Sequence, residues 1–108
     1  MDPGKKYAIV YPPQVKTHLR AIGRKLHSLI RRAIENQLMY DPNKETRNQK
    51  PLKKVPDDPS VEWEIRFGPD NRFRVFYDIH PDNAKVFILA IGVKRGNKLL
   101  IGKEEISL

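Results

Sequence analysis

Residues 61–96 read VEWEIRFGPDNRFRVFYDIHPDNAKVFILAIGVKRG, and they contain three strand-like runs separated by two turns. In the first two runs apolar side chains occur at every second position, which is typical of strands with one buried face. Residues 68–71 and 80–83 are rich in the Gly, Pro, Asp and Asn residues that form tight turns. This stretch therefore predicts three antiparallel strands joined by hairpins.

The same alternation predicts which side chains face the core. The inward positions of the first two runs are Val61, Trp63, Ile65, Phe67, Phe73, Val75, Tyr77 and Ile79. The outward positions are Glu62, Glu64, Arg66, Arg72, Arg74, Phe76 and Asp78. Residues 85–93 are nearly all apolar, so we expect a central strand that is covered on both faces. Residues 98–108 are expected to form a short strand or a tail.

The first half of the chain predicts a pair of helices. Between residues 15 and 38 most apolar residues recur at steps of three and four, which is the pattern of an amphipathic helix. Gly23 interrupts the pattern, so we expect two helices, over residues 13–22 and 25–40, that form a hairpin. Pro42 ends the second helix because proline cannot continue it.

These elements together predict an α+β fold. Residues 7–11 are β-branched and aromatic, which favours a first strand, and residues 42–60 contain four prolines and many charges, which favours a long loop. The expected order is β-α-α-β-β-β, with the helix hairpin packed on a small twisted, mainly antiparallel sheet. We expect one domain over residues 1–108.

The chain is strongly basic. It has 21 Lys and Arg residues against 13 Asp and Glu residues, a net charge of +8. Residues 1–54 hold thirteen basic and four acidic side chains, whereas residues 55–108 hold eight and nine. Such a concentration favours a polyanion as partner, because neutralising phosphates releases counterions. The alternative is that these charges only solvate a helical surface.

Several classes of function have no support in the sequence. The chain has no cysteine, which excludes disulfides, thiolate metal sites and cysteine nucleophiles. It has neither an apolar run long enough to cross a membrane nor a secretory signal, so we expect a cytoplasmic protein with no membrane association. No glycine-rich phosphate loop, Ser-His-Asp arrangement or metal-ligand spacing occurs, so neither a metal nor a cofactor is expected.

Four segments resemble the toxins of the RelE/ParE superfamily, and the resemblance extends from residue 7 to about residue 101. The segments are the interrupted helix hairpin ending at Asp41-Pro42, Pro51-Leu52-Lys53, Arg74-Val75-Phe76-Tyr77 and Val86 to Lys94, which closes with Ala90-Ile91-Gly92-Val93-Lys94. Some members of this superfamily cleave RNA, often messenger on the ribosome, and others poison DNA gyrase. The resemblance implies a RelE-like fold and a toxin held by an antitoxin.

Cleavage of RNA without a metal needs a proton acceptor, a proton donor and cations around the phosphate. Arg66 and Arg74 are similar in position to catalytic basic residues of the ribonuclease members, and on adjacent strands they could converge on one phosphate. The resemblance implies the same role for Lys94. Glu64 shares their face and is the best candidate for the base. Further RNA-binding charge is expected from Lys50, Lys53, Lys54, Arg72 and Arg95.

Each of these residues also has a structural interpretation. Glu64 and Arg66 could form a solvated ion pair, and Lys94 could be an ordinary turn residue. Tyr77 and Trp63 are expected to be core residues. Many ribonuclease members carry a Tyr or His near the C-terminus, whereas residues 98–101 here read KLLI; of the three histidines, only His80 is considered as a replacement.

The resemblance implies a toxin of a type II toxin–antitoxin pair. We expect a metal-independent endoribonuclease that cleaves messenger RNA, with or without the ribosome, inhibits translation and arrests growth. We expect an acidic antitoxin to neutralise it in a hetero-oligomeric complex. Two alternatives remain open, a gyrase-inhibiting toxin without nuclease activity and an inactive module that only binds the antitoxin.

Overall fold

The computed structural model describes residues 5–52 and 62–106, so Lys53, Lys54 and Val61 lie outside the described residues. Two helices and seven strands occur within these ranges. In chain order they are β1 (Ala8–Val10), α1 (Pro13–Arg20), α2 (His27–Leu38), β2 (Gln49–Pro51), β3 (Trp63–Phe67), β4 (Phe73–His80), β5 (Lys85–Arg95), β6 (Lys98–Ile101) and β7 (Glu104–Ile106). Gly23 has an extended backbone (φ −51°, ψ 131°), and it separates α1 from a 3₁₀ turn that leads into α2.

The strands form one mainly antiparallel sheet in the order β2-β3-β4-β5-β6-β7. The exception is β1, which pairs in parallel with β5. Because β4 occupies one edge of β5, both β1 and β6 lie along the other edge, opposite residues 85–87 and 92–95. Between them the backbone N–H of Ile91 donates a hydrogen bond to Nδ1 of His18 on α1 (3.3 Å).

Both helices pack on one face of this sheet. Their fully buried side chains are Val15, Ile30, Ile34 and Leu38, and they contact the inward side chains of β4 and β5. Burying one such side chain stabilises the fold by about 1.5–3 kcal/mol. The expected inward positions Ile65, Phe73, Val75 and Tyr77 are confirmed. Leu29 is 44% exposed and therefore does not belong to the buried helix stripe that the spacing predicts.

The expectation that β5 is covered on both faces is wrong for the described residues. The helices cover one face only, and Phe87, Leu89 and Ala90 are half-buried. Ala90 pairs with Phe76 and Ile88 pairs with Tyr77, so Leu89 is an additional residue in a β-bulge. The bulge adds one residue to the strand. The residues that face the core before the bulge and those that face it after the bulge are therefore out of step by one position.

The segment 42–60 is not loop throughout, because it contains β2, which pairs with β3. Buried Gln49 donates through Nε2 to the carbonyl oxygens of Asp41 (2.6 Å) and Pro42 (3.2 Å). The hydroxyl of Tyr77 also donates to the carbonyl of Pro42 (2.6 Å). These bonds attach the segment after α2 to the sheet, and they replace the backbone partners that a Pro-rich segment lacks.

The C-terminal segment forms a hairpin of two strands, β6 and β7, where one short strand or a tail was expected. No helix in the described parts of the chain is long and apolar enough to span a membrane.

Candidate nucleic-acid interface

The sheet face opposite the two helices, here called the open face, carries the basic side chains that the sequence singles out. Arg66 on β3 lies directly opposite Arg74 on β4, which lies opposite Gly92 on β5. Arg66 and Arg74 therefore point to the same side of the sheet. Like charges in direct opposition destabilise a sheet, so this pair requires a compensating anion.

Glu64 supplies that anion. Its Oε1 accepts a hydrogen bond from Nε of Arg66 (3.0 Å), and its Oε2 lies 3.6 Å from Nη1 of Arg74. Glu64 and Arg74 are only 5% and 6% exposed, whereas the side chain of Arg66 is 33% exposed. The ion pair of Glu64 and Arg66 considered from the sequence therefore forms, but its carboxylate is buried rather than solvated, and Arg74 is a third member of the group.

A second contact fixes Arg74. Its Nε donates to the backbone carbonyl of Asn71 (3.1 Å), which lies in the turn between β3 and β4. Asp70 and Asn71 both have positive φ angles (55° and 51°), a conformation that Asp and Asn tolerate better than most residues. With two of its nitrogens engaged, Arg74 has little freedom to reorient toward a ligand.

An open cleft lies at the same end of the sheet. It has a volume of about 560 Å³ and is lined by Asp70, Arg72, Lys94, Arg95 and Gly96. The backbone N–H of Lys94 donates to the carbonyl of Arg72 (2.8 Å), which holds two of these residues together. Three cations against one carboxylate give the cleft a net positive charge, which suits a phosphate group.

The remaining candidates occupy different places. Lys50 on β2 is exposed and pairs in register with Glu64, so it extends the positive charge of the open face. Lys53 and Lys54 lie outside the described residues. Thus Glu64 contacts both Arg66 and Arg74, and Arg72, Lys94 and Arg95 share the cleft. The turn that contains Asn71 joins the two groups.

The turn residues are the part of this arrangement that sequence reasoning missed. Asn71 acts through its backbone carbonyl, and its side-chain amide donates to Oδ1 of Asn48 (3.3 Å). The backbone carbonyl of Asn48 in turn accepts from the N–H of Arg66 (2.8 Å). The Gly-Pro-Asp-Asn sequence predicts the turn, but no signal in it indicates these contacts.

Other titratable groups lie away from this group. Tyr77 is fully buried on the core face, and burial raises the pKa of its hydroxyl well above the ordinary value; the assignment of Tyr77 to the core is confirmed. His80 is at the far end of β4, with Nε2 3.6 Å from Oδ2 of Asp78. In residues 5–52 and 62–106 no three His, Asp or Glu side chains are grouped as metal ligands.

Comparison with known proteins supports the fold. No protein-family model matches the chain, and no curated protein sequence matches it. A chain in the crystal structure of the toxin–antitoxin complex RelBE2 from Mycobacterium tuberculosis is similar, with a TM-score of 0.66 and 18% sequence identity. The similarity covers 87% of this chain and 98% of that one. The RelE-like α+β fold predicted from the sequence is thus confirmed.

Proposed function

We propose that this chain is the toxin of a type II toxin–antitoxin pair and that it cleaves messenger RNA without a metal ion. The observation that carries this proposal is the placement of Arg66, Arg74 and the cleft cations at one end of the open face. A RelE-like fold is consistent with this activity and with others, because a fold alone does not fix a function.

In the proposed reaction the chain binds one phosphodiester of the RNA. The exposed nitrogens of Arg66, together with Lys94 and Arg72, neutralise its oxygens. The adjacent 2′-hydroxyl loses its proton to a base, and its oxygen attacks the phosphorus. The bond to the 5′-oxygen breaks as that oxygen takes up a proton from water, so that a cyclic phosphate and a 5′-hydroxyl form. Because negative charge develops on the phosphate oxygens, guanidinium and ammonium groups placed beforehand lower the barrier. Lys50 and Arg95 would bind the flanking phosphates.

Two roles are proposed for Glu64. As a base it would take the proton of the 2′-hydroxyl, and as a positioning residue it would hold the guanidinium groups of Arg66 and Arg74. Both of its oxygens face guanidinium nitrogens, and this geometry favours the positioning role. In that case the proton passes to another group or to water.

The activity is tested by incubating the purified protein with ribosomes and messenger RNA, and with messenger RNA alone, and by mapping new RNA ends. We expect new ends in at least one of the two reactions, and we expect Lys94→Ala to reduce their yield. Induced expression should arrest growth. Intact messenger at high protein concentration would contradict the nuclease proposal.

A second candidate is a toxin that inhibits DNA gyrase without cleaving RNA. Two observations favour it: the buried ion pairs occupy much of Arg74, and residues 98–106 contain neither Tyr nor His. A supercoiling assay separates the two proposals, since loss of gyrase activity with RNA left intact would support this one. An inactive antitoxin-binding module would show neither effect.

We also propose an acidic antitoxin as partner. The helices and their connection carry six exposed cations, Lys16, Arg20, Arg24, Lys25, Arg31 and Arg32. One carboxylate, that of Glu35, lies among them and pairs with Arg31 (3.5 Å). An acidic segment would be attracted to this surface. Co-expression with the neighbouring gene product and a single-step pull-down should recover a complex; a chain recovered alone and harmless to the cell would count against it.

A further inference from the structure

One end of the open face, here called the basic end, carries Arg66, Arg74 and the cleft cations. Beyond this end, the open face carries aromatic side chains that do not belong to the core. Phe76 on β4 lies in register between Glu64 and Ala90, and Phe87 on β5 lies opposite Asp78. Both rings are half-buried, and neither packs against the core cluster formed with the helices. Within the described residues, no helix covers the side of the two rings that faces away from the sheet.

We propose that Phe76 and Phe87 form a stacking platform for the bases of single-stranded RNA next to the phosphate bound at the basic end. This inference rests on the proposed function, because it takes RNA as the substrate. Unpaired bases stack on aromatic side chains whatever their identity, whereas bases inside a duplex are not accessible in this way.

The spacing along β4 suits this role. Phe76 is two residues from Arg74 on the same face, a separation of about 7 Å. The next outward position of β4 is Asp78, beside Phe87, again about 7 Å further along. These steps are comparable with the distance between neighbouring nucleotides of an extended strand. A phosphate held by Arg66 would therefore place the adjacent base over Phe76 and the following base near Phe87.

The neighbours of the two rings support a nucleic acid rather than an apolar protein segment. Ala90 beside Phe76 is small, so the ring is accessible from the side. The imidazole of His80 is 4.6 Å from the ring of Phe87, centroid to centroid, and inclined by 52°, so it adds a second flat surface. Glu64, which lies opposite Phe76, pairs with Arg66, and Lys50 lies opposite Glu64 on β2. An apolar partner that covered Phe76 would have to bury charges beside the ring.

Asp78 limits the number of nucleotides that the platform can bind. Its carboxylate lies on the open face beside Phe87 and would repel a phosphate. The second phosphate would therefore lie away from Asp78, and only the second base, not its phosphate, would reach Phe87. The platform accordingly serves one or two nucleotides and would contribute a preference for single-stranded RNA.

The test uses a short 2′-O-methyl RNA, which lacks the attacking hydroxyl and cannot be cleaved, and an abasic strand with the same number of phosphates. Fluorescence anisotropy measures both affinities. We expect the wild-type protein to bind the RNA at least about tenfold more tightly than the abasic strand, since stacking contributes at each base. Phe76→Leu and Phe87→Leu, which keep an apolar side chain but remove the ring, should each remove much of this difference.

Tyr40→Leu is the matched control, because Tyr40 is an exposed aromatic residue after α2 (52% exposed) and should have no effect. The platform is overturned if both Leu variants retain the preference for bases, or if the wild-type protein binds both strands equally. It is also overturned if the rings bind a protein instead of bases. In that case a protein would co-purify with the wild type and with the Leu variants, which keep an apolar side chain, but not with the Phe76→Ala variant. Base-dependent binding without any cleavage would instead refute the proposed nuclease and leave the platform standing.

Discussion

At the scale of single residues, Glu64 determines how the basic side chains of the open face are arranged. Desolvating charges costs free energy, and a buried ion pair offsets that cost only when its geometry is good. Here one carboxylate faces two guanidinium groups, and the backbone carbonyl of Asn71 accepts a hydrogen bond from Nε of Arg74. The arrangement leaves Arg66 as the more accessible of the two arginines.

This arrangement predicts that Glu64→Ala destabilises the fold. The substitution leaves the buried guanidinium of Arg74 without its carboxylate, and such a loss costs about 3 kcal/mol. Urea unfolding followed by circular dichroism measures the change, with Glu62→Ala, at an exposed position next to β3, as the control. Glu64→Gln should retain part of the stability and, if Glu64 only positions the arginines, part of the cleavage. Complete loss of cleavage in a well-folded Glu64→Gln protein would favour the base.

A second residue-scale prediction concerns pH. Burial lowers the pKa of His18 below 6.5, and its Nδ1 must be unprotonated to accept the N–H of Ile91. Because the unfolded chain takes up this proton first, the free energy of unfolding should be independent of His18 above pH 6.5 and decrease as the pH falls below 6.5.

The measurement compares His18→Asn with the wild type by urea unfolding at neutral pH and at about pH 5. The amide oxygen of Asn can accept the same hydrogen bond and does not titrate, so the variant should lose less stability in acid. His27→Asn is the control, because Nε2 of His27 lies 2.9 Å from the carbonyl oxygen of Ile22 and, unlike Nδ1 of His18, serves as a donor. Equal acid sensitivity of His18→Asn and wild type would contradict this explanation.

At the scale of secondary-structure elements, Tyr77 joins β4 to the segment that follows α2. We expect Tyr77→Phe to lower the free energy of unfolding by about 1 kcal/mol, because Pro42 loses one hydrogen bond and keeps the one from Gln49. RNA cleavage and RNA binding should not change, since Tyr77 lies on the core face. A loss of cleavage at unchanged stability would instead place the hydroxyl in the reaction.

The elements also indicate how much can be predicted from sequence. Alternation of apolar and polar residues assigns the side chains of β3 and β4 to the two faces of the sheet, because each of these strands has one covered side. It cannot assign faces in β5, where every position near the bulge at Leu89 is apolar and the extra residue leaves no compositional signal. It also misses β2, because a strand of three residues that ends in proline looks like part of a loop.

The candidate site is predictable to a similar extent. Period two places Glu64, Arg66 and Arg74 on one face, and the structure confirms that common face. Their burial could not be predicted, because it depends on the turn at residues 68–71 and on Gly92. A Cβ atom at Gly92 would lie 2.9 Å from Cδ1 of Leu99 and 3.1 Å from Cγ1 of Ile101. This close approach of β6 packs its side chains against the residue opposite Arg74.

At the scale of the whole molecule, the positive charge is divided between two opposite surfaces. The six exposed cations of the helix hairpin lie on one side of the sheet, and Lys50, Arg66 and the cleft cations lie at the other face or its end. Six of the thirteen basic side chains in residues 1–54 thus belong to the helix side. A protein partner and an RNA could then be bound by different surfaces.

This division predicts that the two proposed binding activities can be separated by mutation. Arg24→Glu with Arg32→Glu should weaken binding to an acidic protein partner by about tenfold, mainly through slower association, and should leave RNA binding unchanged. Lys94→Ala should do the reverse, and it should reduce the salt dependence of RNA binding by about one phosphate contact. Both affinities are measured by anisotropy over a series of salt concentrations. If either variant weakens both activities to the same extent, one surface serves both proposed partners, and a protein that covers it would compete directly with RNA.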